Sequence, residues 1–198
     1  VTPGALAVPP TYLNTDAWDG YPTSQERLYE VLQGHHPDGS DNPDAGPVDN
    51  VVVITGDIHT SWAFDVTPNP DALPSYDPIA VEFVGPSVTS PGLPIPGEVA
   101  NAISVSNLHL KYVNLDQKGW VLLDLAPDYA TGEWYHIGPD AVVDAEERPE
   151  PSTLARVYRT PSTPGDNGIE IDLTDPTGRS HQTDPGQAYL DGRPPKAP

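Results

Sequence analysis

The chain has 198 residues, with nine basic against 29 acidic side chains, a formal charge of −20, and neither cysteine nor methionine. That charge repels nucleic-acid phosphates and anionic membranes, and zero cysteine excludes a disulfide framework or a thiolate metal site within the chain. No apolar run reaches the roughly 18 residues of a membrane helix, and the first twenty residues lack the basic and apolar regions of a signal peptide.

The acidity suits hard cations as well as plain solubility. A chain that begins at Val1 and holds no Met is expected to be a processed product: either its N-terminus is trimmed, or it is the C-terminal part of a longer translation product, and the second is preferred. With 26 prolines and 17 glycines, short elements joined by long loops are expected rather than a helical bundle.

From Val1 to Thr15 the sequence offers no period and is expected to run extended over another surface. DAWDGYPTSQERLYEVLQG then sets Leu28, Val31 and Leu32 at helical spacing, with Pro22 near the first turn and Gly34 as the stop. His35 to Asn50 is turn formers and acids, a solvated loop in which His35 and His36 face water. Val51 to Thr55 is a continuous β-branched run, the pattern of a strand covered on both faces in the middle of a sheet.

After a Pro-rich crossing, Ile79 to Val84 reads as a second strand that ends in a Gly-Pro turn. Strands near Leu110–Val113, Gly119–Leu125 and Thr131–Ile137 then form an expected meander, with Trp120 and Trp134 as aromatic anchors. Beyond Ala141 the composition predicts a loosely packed tail with one weak strand at Gly168–Leu173. The order of helix, buried strand, loop, strand and meander fits a layered α/β sandwich.

The chemistry concentrates where the β-branched run ends, in Gly56, Asp57, Ile58 and His59. A carboxylate and a neutral imidazole one residue apart can share a cation only where the chain leaves the regular pleat, and Gly56 would permit that turn. Carboxylate and imidazole suit Fe, Zn or Mn, and carboxylate also suits Ca. By spacing alone an Asp that caps a turn beside an ordinary hydrogen-bonding His is the preferred reading, since Asp-x-His is short and common.

VVVITGDIHTSW resembles the distal metal-binding strand of metallophosphoesterases, in particular the alkaline phosphatase D (PhoD-like) family. DAWDGYPTSQERLYEVL is similar to that family's Asp-x-Trp-Asp-Gly-Tyr segment and following helix. VEFVGPSVTSPG resembles its Glu-Phe-Val-Gly-x-Ser-x-Thr-Ser element, and NLHLKYVNLDQKGWVLLDL its Asn-x-His and Gly-Trp segments. The four segments stand in family order from Asp16 to about Trp134.

The resemblance implies a four-layer α/β/β/α metallophosphoesterase sandwich in which residues 1–138 are the C-terminal half of the catalytic domain and 139–198 a Pro/Asp-rich tail. It implies phosphodiesterase or alkaline phosphatase activity through a metal-activated water, with Fe(III) and Ca(II) as cofactors, although other divalent ions would also serve, and a secreted or periplasmic location. Asp57 and His59 match the metal-ligand and catalytic pair, and Asn107 and His109 match a pocket segment. Trp62 would pack beside the ligand strand, and Trp18 and Tyr21 would brace the helix as core aromatics. Ser61, Ser87 and Ser90 read as structural hydroxyls, and His136 and His181 as ordinary polar contacts.

The family's remaining ligands, among them a cysteine, an Asp with a nearby Tyr, and an Asn, belong to a preceding half that has no counterpart here. The expected partner is therefore a second chain that carries the N-terminal half, and this chain alone is expected to be inactive. The alternatives are a phospholipase D-type phosphodiesterase and a non-catalytic extracellular binding module.

Overall fold

The computed structural model describes residues 16–70, 72, 76–93, 97–137 and 153–171. The expected extended segment Val1–Thr15, His181 and most of the proposed tail lie outside the described residues. The chain divides into two compact units, Val1–Val48 and Asp49–Pro198.

In the first unit a single 3-10 turn, Trp18–Gly20, leads into helix α1, Pro22–Leu32. Pro22 opens the helix because its missing N–H belongs to an end that lacks acceptors anyway. The helix closes in a Schellman arrangement in which the Gly34 N–H donates to Val31 O and the His35 N–H to Glu30 O. Gly34 takes φ +86° there, and a Cβ at that position would lie 2.6 Å from the Gly46 carbonyl carbon. Only glycine fits both constraints.

Helix α1 buries none of its residues, and Trp18 and Tyr21 are 50% and 56% exposed. This corrects their reading as core aromatics. Leu28, Val31 and Val48 are exposed as well, so the apolar face that the sequence periodicity reveals is not covered within this unit.

The second unit holds two sheets. In the first, β1 (Val52–Thr55), β2 (Ser61–Val66), β3 (Ala80–Val84) and β4 (Leu110–Asn114) stand in the order β1-β3-β2-β4. β1 pairs parallel to β3, while β2 runs antiparallel to both β3 and β4. The second sheet orders β5 (Lys118–Ala126), β6 (Tyr129–Ile137), β7 (Thr153–Pro161) and β8 (Glu170–Ile171) as consecutive antiparallel neighbours.

Ala63, Val81 and Phe83 from the first sheet meet Trp134 and Tyr158 from the second in one buried cluster. Trp62, Val84, Leu110 and Leu115 pack on the other face of the first sheet against Ala100 and Ile103 of helix α2, Gly97–Ser106. Among the described residues this unit is thus helix on sheet on sheet, a mixed α/β and sheet-rich architecture.

Three sequence expectations change. β1 is an edge strand of its sheet among the described residues, and Ile54 is 65% exposed, so the β-branched run is not covered on both faces. Apolar composition specifies what a strand can bury against, not whether the covering element is present. β4 belongs to the first sheet and β5 and β6 to the second, so these strands are not one meander. Finally, β2, α2 and β7 are elements that the sequence reading did not predict.

β2 escapes a pattern search because its inward positions include Ser61 and Asp65, polar residues buried only because distant partners meet them. In α2 the β-branched Val99, Ile103 and Val105 weaken the helix signal. Glu98 in its first turn complements the helix dipole, and Ala100 and Ile103 supply the packed face. β7 pairs with β6 from Tyr129↔Pro161 to His136↔Thr153, with a register shift between Trp134 and Tyr135, and it buries Val157 and Tyr158.

Candidate active site

β1 ends at Thr55, where its hydroxyl donates to Glu82 Oε1 on β3 at 2.8 Å and its carbonyl accepts from the Gly85 N–H at 3.0 Å. The chain then leaves the sheet through residues 56–60. The Ile58 N–H reaches back to the Gly56 carbonyl at 2.9 Å and closes a three-residue turn centred on Asp57. Asp57 has φ +69° and His59 φ +62°, both in the left-handed region.

This corrects the role expected of Gly56. The left-handed geometry falls on Asp57 and His59 themselves, and a Cβ at Gly56 would meet nothing within 4 Å. Asp and His tolerate that region better than most residues, yet each such position costs on the order of 1–3 kcal/mol and persists only where the surroundings enforce it. Two strained residues flanking Ile58 at a strand end, one a carboxylate and one an imidazole, mark the turn as a candidate site rather than a simple cap.

Asp57 is exposed and His59 half-buried, so both are open to an incoming ion or ligand. The turn's exit is fixed by buried polar contacts. Thr60 is fully buried, and its hydroxyl accepts from the Trp62 indole N–H at 2.6 Å. Trp62 is itself buried and stacked on Phe64, but it lies on β2, which β3 separates from the strand that carries Asp57 and His59, so it does not pack beside that strand as expected. The next residue, Ser61, places its hydroxyl 3.1 Å from His136 Nε2 on β6. His136 is 2% exposed, and burial lowers its pKa to about 4, with Asp116 pulling weakly the other way. At neutral pH its ring is uncharged.

The donor set of Asp57 and His59 fits an iron-type or other first-row cation, and its carboxylate also fits calcium. It is half of a site or less: four to eight ligands are usual, and among the described residues no group of three or more His, Cys, Asp and Glu could hold an ion.

Asn107 and His109 stand elsewhere. Asn107 Nδ2 donates to Ile103 O at 2.7 Å at the end of α2. The His109 ring lies 5.9 Å from Phe64 in a stacked orientation, and its carbonyl accepts from the Asp65 N–H at 2.8 Å. From Asp65 back to Ser61 is four strand residues, roughly 13 Å. The sequence pairs these residues with Asp57 and His59 in one motif set, and the sheet sets them at the opposite end of β2.

His35 Nδ1 lies 2.7 Å from Glu30 Oε2, so it is paired rather than simply solvated. Ser87 donates to the Ser90 carbonyl, the structural hydroxyl expected of it. The supports that sequence reasoning missed are Glu82 and the Ser61–His136 pair. No local signal marks either, because their partners are 27 and 75 residues away.

Comparison with known proteins places this geometry in context. The solved structure described as "Structure of PhoD" aligns with a TM-score of 0.59 at 25% identity, over 79% of this chain and 26% of that one. Alkaline phosphatase D of Bacillus subtilis (strain 168) is 32% identical over 113 residues, which are 57% of this chain and 17% of the relative. The chain thus spans about a sixth of the curated relative's length. The family described as PhoD-like phosphatase matches residues 4–134, which include the Asp57–His59 turn and both Asn107 and His109 of the α2–β4 connection. By a family match over well more than half its length, the chain belongs to the PhoD-like phosphatase family.

Proposed function

We propose that this chain supplies the Asp57–His59 ligand pair of a metal-dependent phosphoesterase that hydrolyses phosphate monoesters or diesters. The observation that carries the reading is the strained strand-end turn, which presents a carboxylate and an imidazole in the left-handed region, in a member of a phosphatase family. Asp57 and His59 would hold a cation such as Fe(III) or Ca(II), or another divalent ion. Such a cation, when bound, lowers the pKa of a water and offsets charge on the phosphoryl oxygens.

The residues of this chain have three tasks in that reading. Asp57 and His59 bind the ion. Thr55 with Glu82, and Ser61 with His136, hold the turn from its two ends. Asn107 and His109 keep the pocket role that the family resemblance assigns, at the far end of β2.

Two donors do not complete a coordination shell, so the chain alone is proposed to be inactive. Its partner would be a second chain that carries the N-terminal half of the domain. The uncovered Ile54 on edge strand β1 and the exposed Trp18, Tyr21, Leu28 and Val31 support a missing neighbour. Addition of that half would bring the described helix, sheet and sheet to the four-layer α/β/β/α sandwich. A secreted or periplasmic site of action fits the family. No helix among the described residues is long and apolar enough to cross a membrane.

A non-catalytic binding module is the competing reading, favoured by the lack of a third ligand among the described residues. The test is mass spectrometry and metal analysis of the natural assembly, followed by hydrolysis assays on a nitrophenyl phosphodiester, a monoester and a phospholipid. A second chain, stoichiometric iron or calcium, and phosphate-ester turnover are expected. One species with no metal and no turnover would leave the binding module, and preferred cleavage of the lipid head group would leave the phospholipase D-type reading.

A further inference from the structure

We infer that His136 is a positioning residue for the ligand turn: through Ser61 it fixes the point at which the strained segment carrying Asp57 and His59 re-enters the sheet. Its bearing on catalysis rests on the phosphoesterase reading above.

The direction of every hydrogen bond around His136 follows from one backbone donor. The Gln117 N–H can only donate, and it lies 2.9 Å from Asn114 Oδ1, so that atom is the amide oxygen. The other amide atom of Asn114 is then the nitrogen, which donates to Gln117 Oε1 at 2.8 Å. That identifies the Gln117 atom as an oxygen, so His136 Nδ1, 3.0 Å away, must carry the proton it donates there. The remaining ring nitrogen, Nε2, keeps its lone pair and accepts from the Ser61 hydroxyl at 3.1 Å. A Ser, His and amide relay results, but Ser61 is fully buried and His136 nearly so, and no substrate can reach the hydroxyl. The relay therefore positions the turn and does not supply a nucleophile.

Its placement gives it leverage on the turn. Ser61 also pairs with Asn114 across β2 and β4, and Gln117 lies between β4 and β5. The chain of four side chains, closed by the β2–β4 backbone pairing, thus joins β2, β4 and β6 and ties both sheets to the residue two places after His59. At the other end of the turn the Thr55–Glu82 contact is only partly buried. A buried, fully directed hydrogen bond constrains geometry more tightly than a wet one, and strained backbone persists only where the surroundings over-determine it. Gly119 is the close neighbour that lets the ring form: it pairs with His136, and a Cβ there would sit 2.0 Å from Tyr135 O.

The test uses the isotopically labelled full chain and four variants: S61A, H136L, H136Q and, as a control, Y158F, which removes a hydroxyl bonded to Lys111 O. Two readouts are taken, the backbone chemical shifts of Asp57 and His59 in the labelled chain, which report the left-handed φ, and the affinity for Mn(II) of the assembly with the N-terminal half. S61A and H136L are expected to move both shifts out of the left-handed range and to weaken Mn(II) about ten-fold. H136Q, whose amide oxygen can accept from Ser61, should restore both readouts, and Y158F should change neither.

Left-handed shifts retained in S61A and H136L would overturn the inference, and S61A alone decides it if H136L does not fold. Shifts that move with Mn(II) affinity unchanged would overturn the link to the ion. If the wild-type assembly with its N-terminal half binds no Mn(II), or binds it equally well as the D57A assembly, the metal reading falls, while the shift data still decide the positioning of the turn.

Discussion

The backbone N–H of Ile169 donates to Asp65 Oδ1 at 2.7 Å, across 104 residues of sequence. The other carboxylate oxygen accepts from Tyr76 OH at 2.8 Å and Lys111 Nζ at 3.0 Å, and Asp65 is 3% exposed. Burial works against the Lys111 charge, but hydrogen bonds from Lys111 to Tyr76 and Asp65 outweigh it, and its pKa is raised. D65A leaves a partly buried ammonium without its counter-charge and should cost about 3–5 kcal/mol. D65N keeps an oxygen for the Ile169 N–H and should cost less. Urea unfolding of both variants measures the difference, and equal losses would mean that the charge contributes nothing.

Strain at the ligand turn predicts a trade between stability and binding. Glycine adopts the left-handed region without a Cβ penalty, so D57G should gain about 0.5–1 kcal/mol in denaturant unfolding. The same change removes a proposed ligand. A variant that is more stable yet binds Mn(II) more weakly than wild type is the expected pair of results.

The buried His136 makes stability depend on pH. Its pKa is lowered from 6.5 to about 4 in the folded chain, so the unfolded chain binds the extra proton between those values. The contribution is fully present above about pH 6.5 and is lost as pH falls toward 4, on the order of 3 kcal/mol in total. Unfolding free energies at pH 7 and pH 4.5 should therefore converge in H136Q relative to wild type. An unchanged pH slope in that variant would assign the acid sensitivity to other groups.

Two glycines should respond in opposite ways to a single methyl group. At Gly119 the added Cβ would meet the Tyr135 carbonyl oxygen, a backbone atom fixed in the β5–β6 ladder, so G119A should cost more than about 3 kcal/mol or prevent folding. At Gly56 the added Cβ meets nothing, and G56A should stay within about 0.5 kcal/mol of wild type. Circular dichroism melts of the two variants give the comparison.

Asn107 closes α2 through its bond to Ile103 O, and loss of that bond in N107A should cost about 0.5–1.5 kcal/mol. With Asn107 at the opposite end of β2 from Asp57 and His59, the variant should leave Mn(II) affinity unchanged. In the proposed assembly with a second chain, a raised KM with unchanged kcat would place Asn107 against the substrate, and an effect on melting alone would confine it to the helix end.

The sequence by itself determined the local features. Pro22 and Gly34 bound α1 because one lacks an N–H and the other lacks a Cβ, both local properties of the chain. The β-branched run at β1, the strand at β3 and the Asp57–His59 spacing were legible for the same reason. Family order among four motifs carried the phosphatase assignment, since motif order survives without knowledge of contacts.

What only the tertiary structure decided depends on residues far apart in the chain. Among the described residues β1 is an edge and not a centre because coverage is a property of neighbours, and Ile54 is left 65% exposed. β2 is a strand although Ser61 and Asp65 point inward, because His136 and Ile169 meet them from 75 and 104 residues away. The left-handed strain that sets Asp57 and His59 apart falls on those two residues rather than on Gly56. Sequence placed the two proposed ligands one residue apart, and the contacts of the two sheets hold the backbone at both of them in a conformation that neither residue would adopt unaided.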